Sequence, residues 1–208
     1  STTVAYMLWA DTTNNLLKIR NTANSDWITL RGLDGSLTSS ADASINSVAV
    51  GKGANSVANN TVLGENALDA SVTGGSNTAI GKNSLTALTS GTSNTGTGAN
   101  TLSATTTGAS NTAIGEQSLI SNTTASNNTA IGRHCMKTNT TGTQNVAVGA
   151  KSLEANTTAS DNVAVGYISL GQNTTGTKNT GVGTASLHAN TTASNNTGVG
   201  YFALVNNT

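Results

Sequence analysis

A five-residue motif, Asn-Thr-Ala-Ile-Gly, recurs along most of the chain at a fixed interval of 17 residues. A glycine follows each motif asparagine by four residues, and a leucine follows that glycine by four, with Met136 as the one substitute. A fixed period is the signature of a repeat architecture, in which each unit stacks on its neighbours to bury a continuous core. The motif asparagines are Asn60, Asn77, Asn94, Asn111, Asn128, Asn145, Asn162, Asn179 and Asn196.

The composition is that of a polar, low-complexity chain. Only 9% of the residues are charged and 3% are aromatic, whereas an average soluble domain carries about 25% charged residues. Such a mixture is also typical of disordered segments, but disorder does not require nine glycines in strict phase. The regular spacing therefore favours an ordered structure.

The charge balance and the distribution of apolar residues exclude two classes of partner. Nine Lys and Arg balance nine Asp and Glu, so no net field gathers nucleic acid. No apolar run approaches the roughly 20 residues that cross a bilayer, and we expect no membrane insertion. The single cysteine, Cys135, cannot form an intrachain disulfide.

We number the asparagine of each repeat as position 1. The alternation over positions 1 to 5 predicts a short strand with positions 2 and 4 buried, and Val146 and Val148 are the most apolar example. Glycine at position 5 indicates a backbone with φ > 0 or a close approach to a neighbour. The leucine at position 9 is expected to point inward from a second strand.

Asparagine also recurs at position 12, and both asparagine positions are expected to form side-chain ladders and local turns. At position 15, glycine and alanine alternate from Gly108 to Ala193, as a duplicated two-repeat unit would leave them. The residues predicted to carry the repeat structure are Asn77, Ile80, Gly81, Leu85, Asn111, Ile114, Gly115, Leu119, Asn145, Val148, Gly149 and Leu153.

These features predict an all-β fold, a parallel β-solenoid with 17-residue rungs. Seventeen residues suffice for two short strands and two turns but not for a useful helix. Successive rungs stack roughly 4.7 to 4.9 Å apart, so about ten rungs form a rod on the order of 45 to 50 Å long. We assign the repeat region to residues 46–208, beginning with an irregular first coil at NSVAVG, residues 46–51.

The first 35 residues differ from the repeats. Three short apolar segments separated by polar clusters predict a small antiparallel β meander, with Trp9 and Trp27 as its core. We interpret residues 1–35 as an attachment or collar module that contacts a larger partner, and residues 36–45 as a connector.

Each rung offers little apolar surface. One Ile or Val, one Leu and an Ala or two bury too little area, at about 25 cal/mol per Å², to offset backbone ordering of about 1 to 2 kcal/mol per residue. Side-by-side association of identical rods supplies a further buried surface. We favour three-fold closure, a homotrimer.

The repeat motifs resemble those of known families. NSVAVG at 46, NTAIG at 77 and NVAVG at 145 and 162 resemble the head repeats of YadA-like trimeric autotransporter adhesins, which implies a left-handed β-roll assembled as a trimer. The longer form NTAIGxxSLxxNTTG looks more like repeats of bacteriophage fibre proteins. The segment MLWADTTNNLLKIRNTANSDWITL resembles the small N-terminal modules of phage tail fibres.

These resemblances imply a non-enzymatic, tail-fibre-like structural protein located in a bacteriophage virion. It would bind other virion proteins through residues 1–35, and a host-surface glycan or protein is a further expected partner. Two alternatives remain open: a capsid decoration or head fibre, and a head fragment of a bacterial trimeric autotransporter adhesin on the cell surface.

No residue pattern indicates an active site, a metal site or a cofactor site. His134, Cys135 and Met136 fall on positions 7, 8 and 9, where packing and surface roles explain them. The candidates for surface binding are three aromatic residues at positions 6 and 7, Tyr167, Tyr201 and Phe202. Exposed aromatic residues mark interaction sites, so these residues either contact a ligand or pack across a subunit interface.

Overall fold

The computed structural model describes residues 8–11, 16–20, 27–32, 42–45 and 47–207. The chain divides into two compact units, Ser1–Ser40 and Ala41–Thr208. Within the first unit, β1 (Leu8–Asp11), β2 (Leu16–Arg20) and β3 (Trp27–Gly32) form an antiparallel sheet in the order β1-β2-β3. The predicted antiparallel meander is therefore confirmed. The prediction that Trp9 and Trp27 form its core concerns side chains outside the described part of the structure, and most of the predicted connector lies outside it as well.

The second unit contains one sheet of eleven strands, β4 to β14, in sequence order. From β6 onward, neighbouring strands are parallel and shifted by one repeat, so that Thr129 lies beside Val146 and Ile131 beside Val148. The parallel β-solenoid with 17-residue rungs is confirmed. A short 3-10 helix, Ala54–Ser56, precedes the regular coils. The strands are β4 (Ala43–Ile45), β5 (Val48–Gly51), β6 (Thr61–Gly64), β7 (Thr78–Ile80), β8 (Thr95–Thr97), β9 (Thr112–Ile114), β10 (Thr129–Ile131), β11 (Val146–Val148), β12 (Val163–Val165), β13 (Thr180–Val182) and β14 (Thr197–Val199).

The sheet begins with an antiparallel hairpin instead of the predicted first coil. Strand β5 carries the repeat motif but pairs antiparallel with both β4 and β6. The segment that joins β5 to β6 is shorter than the segments that join successive parallel strands. A shorter connection cannot close a full coil, so the chain reverses direction there.

The predicted orientation of the strands is wrong. Alanine at position 3 points into the coil and is fully buried, as at Ala113, Ala130 and Ala147, whereas positions 2 and 4 face outward. Ile114 and Val146, predicted to be buried, retain 39% and 38% exposure, and Ile80 and Val148 are half-buried. The interior is narrow at Gly96, which occupies position 3: a Cβ added there would lie 2.5 Å from the Ser84 hydroxyl oxygen.

The predicted second strand is also absent from the described coils. Residues 82–87 and 116–121, which contain Leu85 and Leu119, form turns. Each of these leucines adopts a left-handed backbone, with φ of 53° and 50°. The inward direction of the leucine was nevertheless predicted correctly, because Leu85, Leu119 and Leu153 are fully buried.

Asparagine side chains form two ladders in the interior, as predicted: the position-1 ladder runs from Asn60 to Asn196 and the position-12 ladder from Asn122 to Asn207. At position 1, the Asn145 backbone N–H and side-chain amide both donate to Asn128 Oδ1, at 3.0 and 3.2 Å. At position 12, the Asn156 amide donates to Asn139 Oδ1 at 2.8 Å. Both ladders also donate to the carbonyl at position 15: Asn128 and Asn139 reach Gly142 O at 2.9 and 3.0 Å. Among the described residues, no buried side-chain nitrogen or oxygen lacks a hydrogen-bond partner.

Glycine at position 5 meets both expectations from the sequence. Gly81, Gly115 and Gly149 have φ of 119°, 117° and 130°, backbone angles that residues with a side chain rarely adopt. The backbones of successive coils also approach closely there, since a Cβ on Gly149 would lie 2.5 Å from Gly166 O.

The alternation at position 15 accompanies a pairing of coils at position 16. The backbone N–H of Thr143 donates to Ser160 Oγ of the following coil at 2.9 Å, and that of Thr177 donates to Ser194 Oγ at 2.9 Å. In each pair the first coil has glycine at position 15 and the second has alanine. The structural repeat at this corner is thus two coils.

Candidate interaction surface

The outer face of the parallel sheet carries a row of apolar side chains, one per coil, at position 4. Eight of its nine members are Leu, Ile or Val, and the exception is Thr97. We call this the position-4 row. Its members are exposed or half-buried: Leu63, Ile80, Thr97, Ile114, Ile131, Val148, Val165, Val182 and Val199.

Position 2 forms a second outward row beside the position-4 row. It contains threonine in seven coils and valine at Val146 and Val163. Threonine and valine are both β-branched, which suits a pleated surface. No charged residue occurs at position 2 or 4 in any of the nine coils. Positions 2 and 4 therefore form a continuous uncharged strip on the solvent-facing side of the sheet.

Position 6, just past the glycine corner, forms a third row with a different character. Lys82 pairs with Glu65 of the preceding coil at 3.0 Å, and Arg133 pairs with Glu116 of the preceding coil at 3.0 Å. All four side chains are largely exposed. We call this the position-6 row, and its charged members show that it faces solvent.

Two of the three aromatic candidates belong to the position-6 row. Tyr167 is 52% exposed and Tyr201 is 79% exposed. Phe202, at position 7 and 46% exposed, packs against Tyr201 with ring centroids 4.5 Å apart and the rings tilted by 53°. The structure places Tyr201 and Phe202 together in the ninth coil and Tyr167 two coils away.

The adjacent histidine and cysteine do not form a nucleophilic pair. Cys135 is fully buried, and its thiol donates to the backbone carbonyl of Ala147 at 3.2 Å. Burial raises the pKa of the thiol to about 12, so the thiolate is scarcely populated at neutral pH. Met136 is buried at the leucine position.

His134 lies near the surface beside a carboxylate. Its Nδ1 is 3.8 Å from Glu154 Oε1. Partial burial, followed by the charges of Arg133 and Lys137, lowers the pKa of the imidazole below its usual value, against the opposing effect of Glu154. Neutral His134 is thereby favoured.

A cavity of about 350 Å³ lies at the N-terminal end of the second unit, and Asp42, Gly53 and Asp69 line it. The Asp42 carboxylate accepts hydrogen bonds from the backbone N–H groups of Lys52 and Gly53, at 2.6 and 2.5 Å. Asp42 thus fixes the turn after β5. Within the described ranges, no group of three or more His, Cys, Asp or Glu residues could hold a metal ion.

In the same described part of the chain, no helix is long and apolar enough to span a membrane. Comparison of the chain with protein-family models, with curated proteins and with solved structures found no match.

Proposed function

We propose that this chain is a non-enzymatic structural fibre protein of a bacteriophage virion, in which three copies associate side by side into a stiff rod. The observation that carries the proposal is the position-4 row, an apolar strip on the outside of an otherwise polar solenoid. The resemblance of the repeats to phage fibre repeats and to YadA-like heads supports the virion setting, the left-handed coil and the number three.

The outer sheet face suits a second copy of the same solenoid. Neighbouring members of the position-4 row are one strand spacing apart, about 4.7 to 4.9 Å. An identical solenoid aligned in parallel repeats the same contact at every coil, so small gains per coil add along the row. Burying an apolar side chain such as Ile131 contributes about 25 cal/mol per Å² removed from water. Because positions 2 and 4 carry no charge, this contact involves no desolvation of ions.

The position-6 row remains outside this contact. Lys82 and Glu116 are charged and largely exposed, and charged groups are depleted from the centres of interfaces. A trimer closed through positions 2 and 4 would expose its position-6 rows to solvent. The rod would then set the reach and the valency of attachment, because weak contacts on three identical chains add through avidity.

The assembly is tested by mass in solution with a pair of lysine variants. Ile131→Lys places a charge in the position-4 row, and Thr141→Lys places the same charge at position 14, which is exposed and lies on another part of the coil. We expect the wild type and Thr141→Lys to have three times the mass of the 20.6-kDa chain, and Ile131→Lys to dissociate at lower concentration. A monomeric wild type, or equal behaviour of the two variants, would refute side-by-side assembly through this face.

The location in the particle needs a separate experiment. Antibodies against the second unit, applied to the native source and imaged by electron microscopy, are expected to label the virion tail. Labelling of the capsid would replace the proposal with a head fibre, and labelling of a bacterial envelope would replace it with an adhesin head.

A further inference from the structure

The aromatic residues of the repeats are confined to one region. Residues 60–208 contain three aromatic residues, Tyr167, Tyr201 and Phe202. All three occupy positions 6 and 7 of the seventh and ninth coils and are exposed or half-buried. A polar surface that concentrates its exposed rings at one corner is suited to binding a partner there.

The exposure of these tyrosines is a property of position 6. Tyr167 has coils stacked on both of its sides and is still 52% exposed. In other coils the same position holds the ion pairs Glu65–Lys82 and Glu116–Arg133, which are open to solvent. Tyr167 and Tyr201 therefore stand on a hydrated corner, separate from the uncharged strip on the sheet face.

The spacing of the two tyrosines is set by the solenoid. They occupy the same position two coils apart, with Thr184 between them, so their Cα atoms are about 9.4 to 9.8 Å apart along the stacking direction. This distance is close to the length of one disaccharide unit in an extended β-1,4-linked polysaccharide. In such a chain, alternate sugar rings present equivalent faces in one direction at that interval.

The chemistry of the last three coils suits a neutral sugar. Residues 162–208 contain no Asp or Glu, and Lys178 is their one Lys or Arg residue. Aromatic rings stack on the apolar C–H faces of sugar rings without requiring charge. The contact between Phe202 and Tyr201 supports the Tyr201 ring from one side, which reduces the entropy lost when a ligand orders it.

We propose that Tyr167 and Tyr201 form a binding site for an extended, neutral β-1,4-linked polysaccharide, which lies parallel to the solenoid axis and stacks one sugar ring on each tyrosine. The inference deepens the attachment role in the proposed function, since it names the surface chemistry that such a rod would bind. The site itself lies on one chain and does not require the trimer.

Calorimetric titration of the full chain with cellohexaose tests the site, and maltohexaose serves as the control sugar because its α-1,4 linkages curl the chain. We expect cellohexaose to bind and maltohexaose not to bind. Tyr201→Ala and Tyr167→Ala are each expected to weaken cellohexaose binding about tenfold or more, as loss of a central aromatic contact does.

A spacing variant separates the proposed geometry from general stickiness of the rings. The double variant Thr184→Tyr/Tyr201→Thr keeps the composition unchanged but places the two tyrosines in adjacent coils. It is expected to weaken cellohexaose binding as much as Tyr201→Ala does. Circular dichroism and thermal melting check that each variant retains the solenoid.

The outcomes distinguish this site from the fibre assembly. Absence of cellohexaose binding, equal binding of the two sugars, or undiminished binding by the spacing variant would each overturn the site and leave the fibre proposal standing. Loss of trimer mass in Tyr201→Ala with unchanged sugar affinity would assign the ring to an interface and also overturn the site. Conversely, a monomeric wild type that binds cellohexaose would refute the trimer and retain the site.

Discussion

Replacement of Asn128 by alanine removes one step of the position-1 ladder from the middle of the solenoid. The side chain makes four hydrogen bonds. Its Oδ1 accepts the Asn145 backbone N–H at 3.0 Å and the Asn145 amide at 3.2 Å, and its Nδ2 donates to Asn111 Oδ1 at 3.3 Å and to Gly142 O at 2.9 Å. The site is fully buried, so water cannot replace these bonds without entering the core.

The cost is determined by the groups left without a partner. Gly142 O keeps the amide of Asn139, and the Asn145 amide keeps Ala159 O. The backbone N–H of Asn145 loses the one hydrogen bond that the structure describes for it, to Asn128 Oδ1. An orphaned buried donor costs roughly 1 to 3 kcal/mol, and each of the other three lost bonds costs a further net 0.5 to 1.5 kcal/mol, roughly 1.5 to 4.5 kcal/mol together. We expect Asn128→Ala to lower the free energy of unfolding by roughly 2.5 to 7.5 kcal/mol.

Asn196→Ala is the matched control at the end of the same ladder. The Asn196 side chain makes one described hydrogen bond, to Asn190 Oδ1 at 3.3 Å, and the residue is only partly buried. This substitution is expected to cost about 1 kcal/mol or less. Urea unfolding followed by circular dichroism compares the two variants at equal chain concentration, because association contributes to apparent stability.

Amide hydrogen exchange supplies a local measurement in the same variants. The backbone N–H of Asn145 is expected to exchange much faster in Asn128→Ala than in the wild type, while backbone N–H groups several coils away change less. If Asn128→Ala costs no more than Asn196→Ala, or if exchange at Asn145 is unchanged, the ladder does not stabilise the coil as argued.

Two further substitutions test the glycine corner and the buried thiol. Gly149→Ala places a Cβ 2.5 Å from Gly166 O and is expected to melt at a clearly lower temperature than Gly200→Ala, which shares the positive φ but has no atom nearer than 3.9 Å; similar melting temperatures would contradict the close-approach argument. For Cys135, the folded pKa of about 12 lies above the ordinary value of 9.0. Its stabilising effect is therefore complete below pH 9 and is lost by about 1.4 kcal/mol for each pH unit between pH 9 and about pH 12. Cys135→Ser replaces the thiol by a hydroxyl like that of Ser118, which donates to the next coil at 3.0 Å, and is expected to remove this loss of stability at high pH. If the free energy of unfolding falls by the same amount from pH 8 to pH 10 in the wild type and in the variant, the thiol is not its cause.

The period of the repeat made the architecture predictable. A strict interval of 17 residues with glycine at position 5 indicates a stacked coil, and the left-handed backbone and close approach at Gly115 follow from that glycine. The asparagine ladders were also predictable, because identical polar residues in phase stack in identical places. Leu119 was correctly assigned to the core for the same reason.

The strand orientation could not be obtained from the rule that large apolar residues face inward. The leucine at position 9 already fills the coil, so only Val, Ala or Gly is found at position 3. Two signals in the sequence point to the observed orientation. Position 3 is small in nearly every coil, and it shares its face with the ladder asparagine at position 1, which needs buried partners.

The turn that carries the leucine was less accessible to sequence reasoning. Leucine seldom adopts a left-handed backbone, yet Leu102 has φ of 50° and Leu119 has φ of 50°. Two effects of the neighbouring coils offset the free-energy cost of this backbone conformation at Leu119. They bury its side chain completely, and Cys135 O accepts a 3.0 Å hydrogen bond from its N–H. Both effects depend on the stacking of coils, which the sequence of one repeat does not show.

The pairing of coils at position 16 restricts how a chain of this kind can change its length. Insertion or deletion of any number of residues other than a multiple of 17 would shift both asparagine ladders out of phase along the rest of the solenoid. Removal of a single coil would keep the ladders but would break the alternation in which Thr143 donates to Ser160 and Thr177 to Ser194. Lengths that differ by two coils, about 9.4 to 9.8 Å of solenoid, preserve both ladders and this alternation, so the solenoid can lengthen or shorten in steps of two coils without losing either.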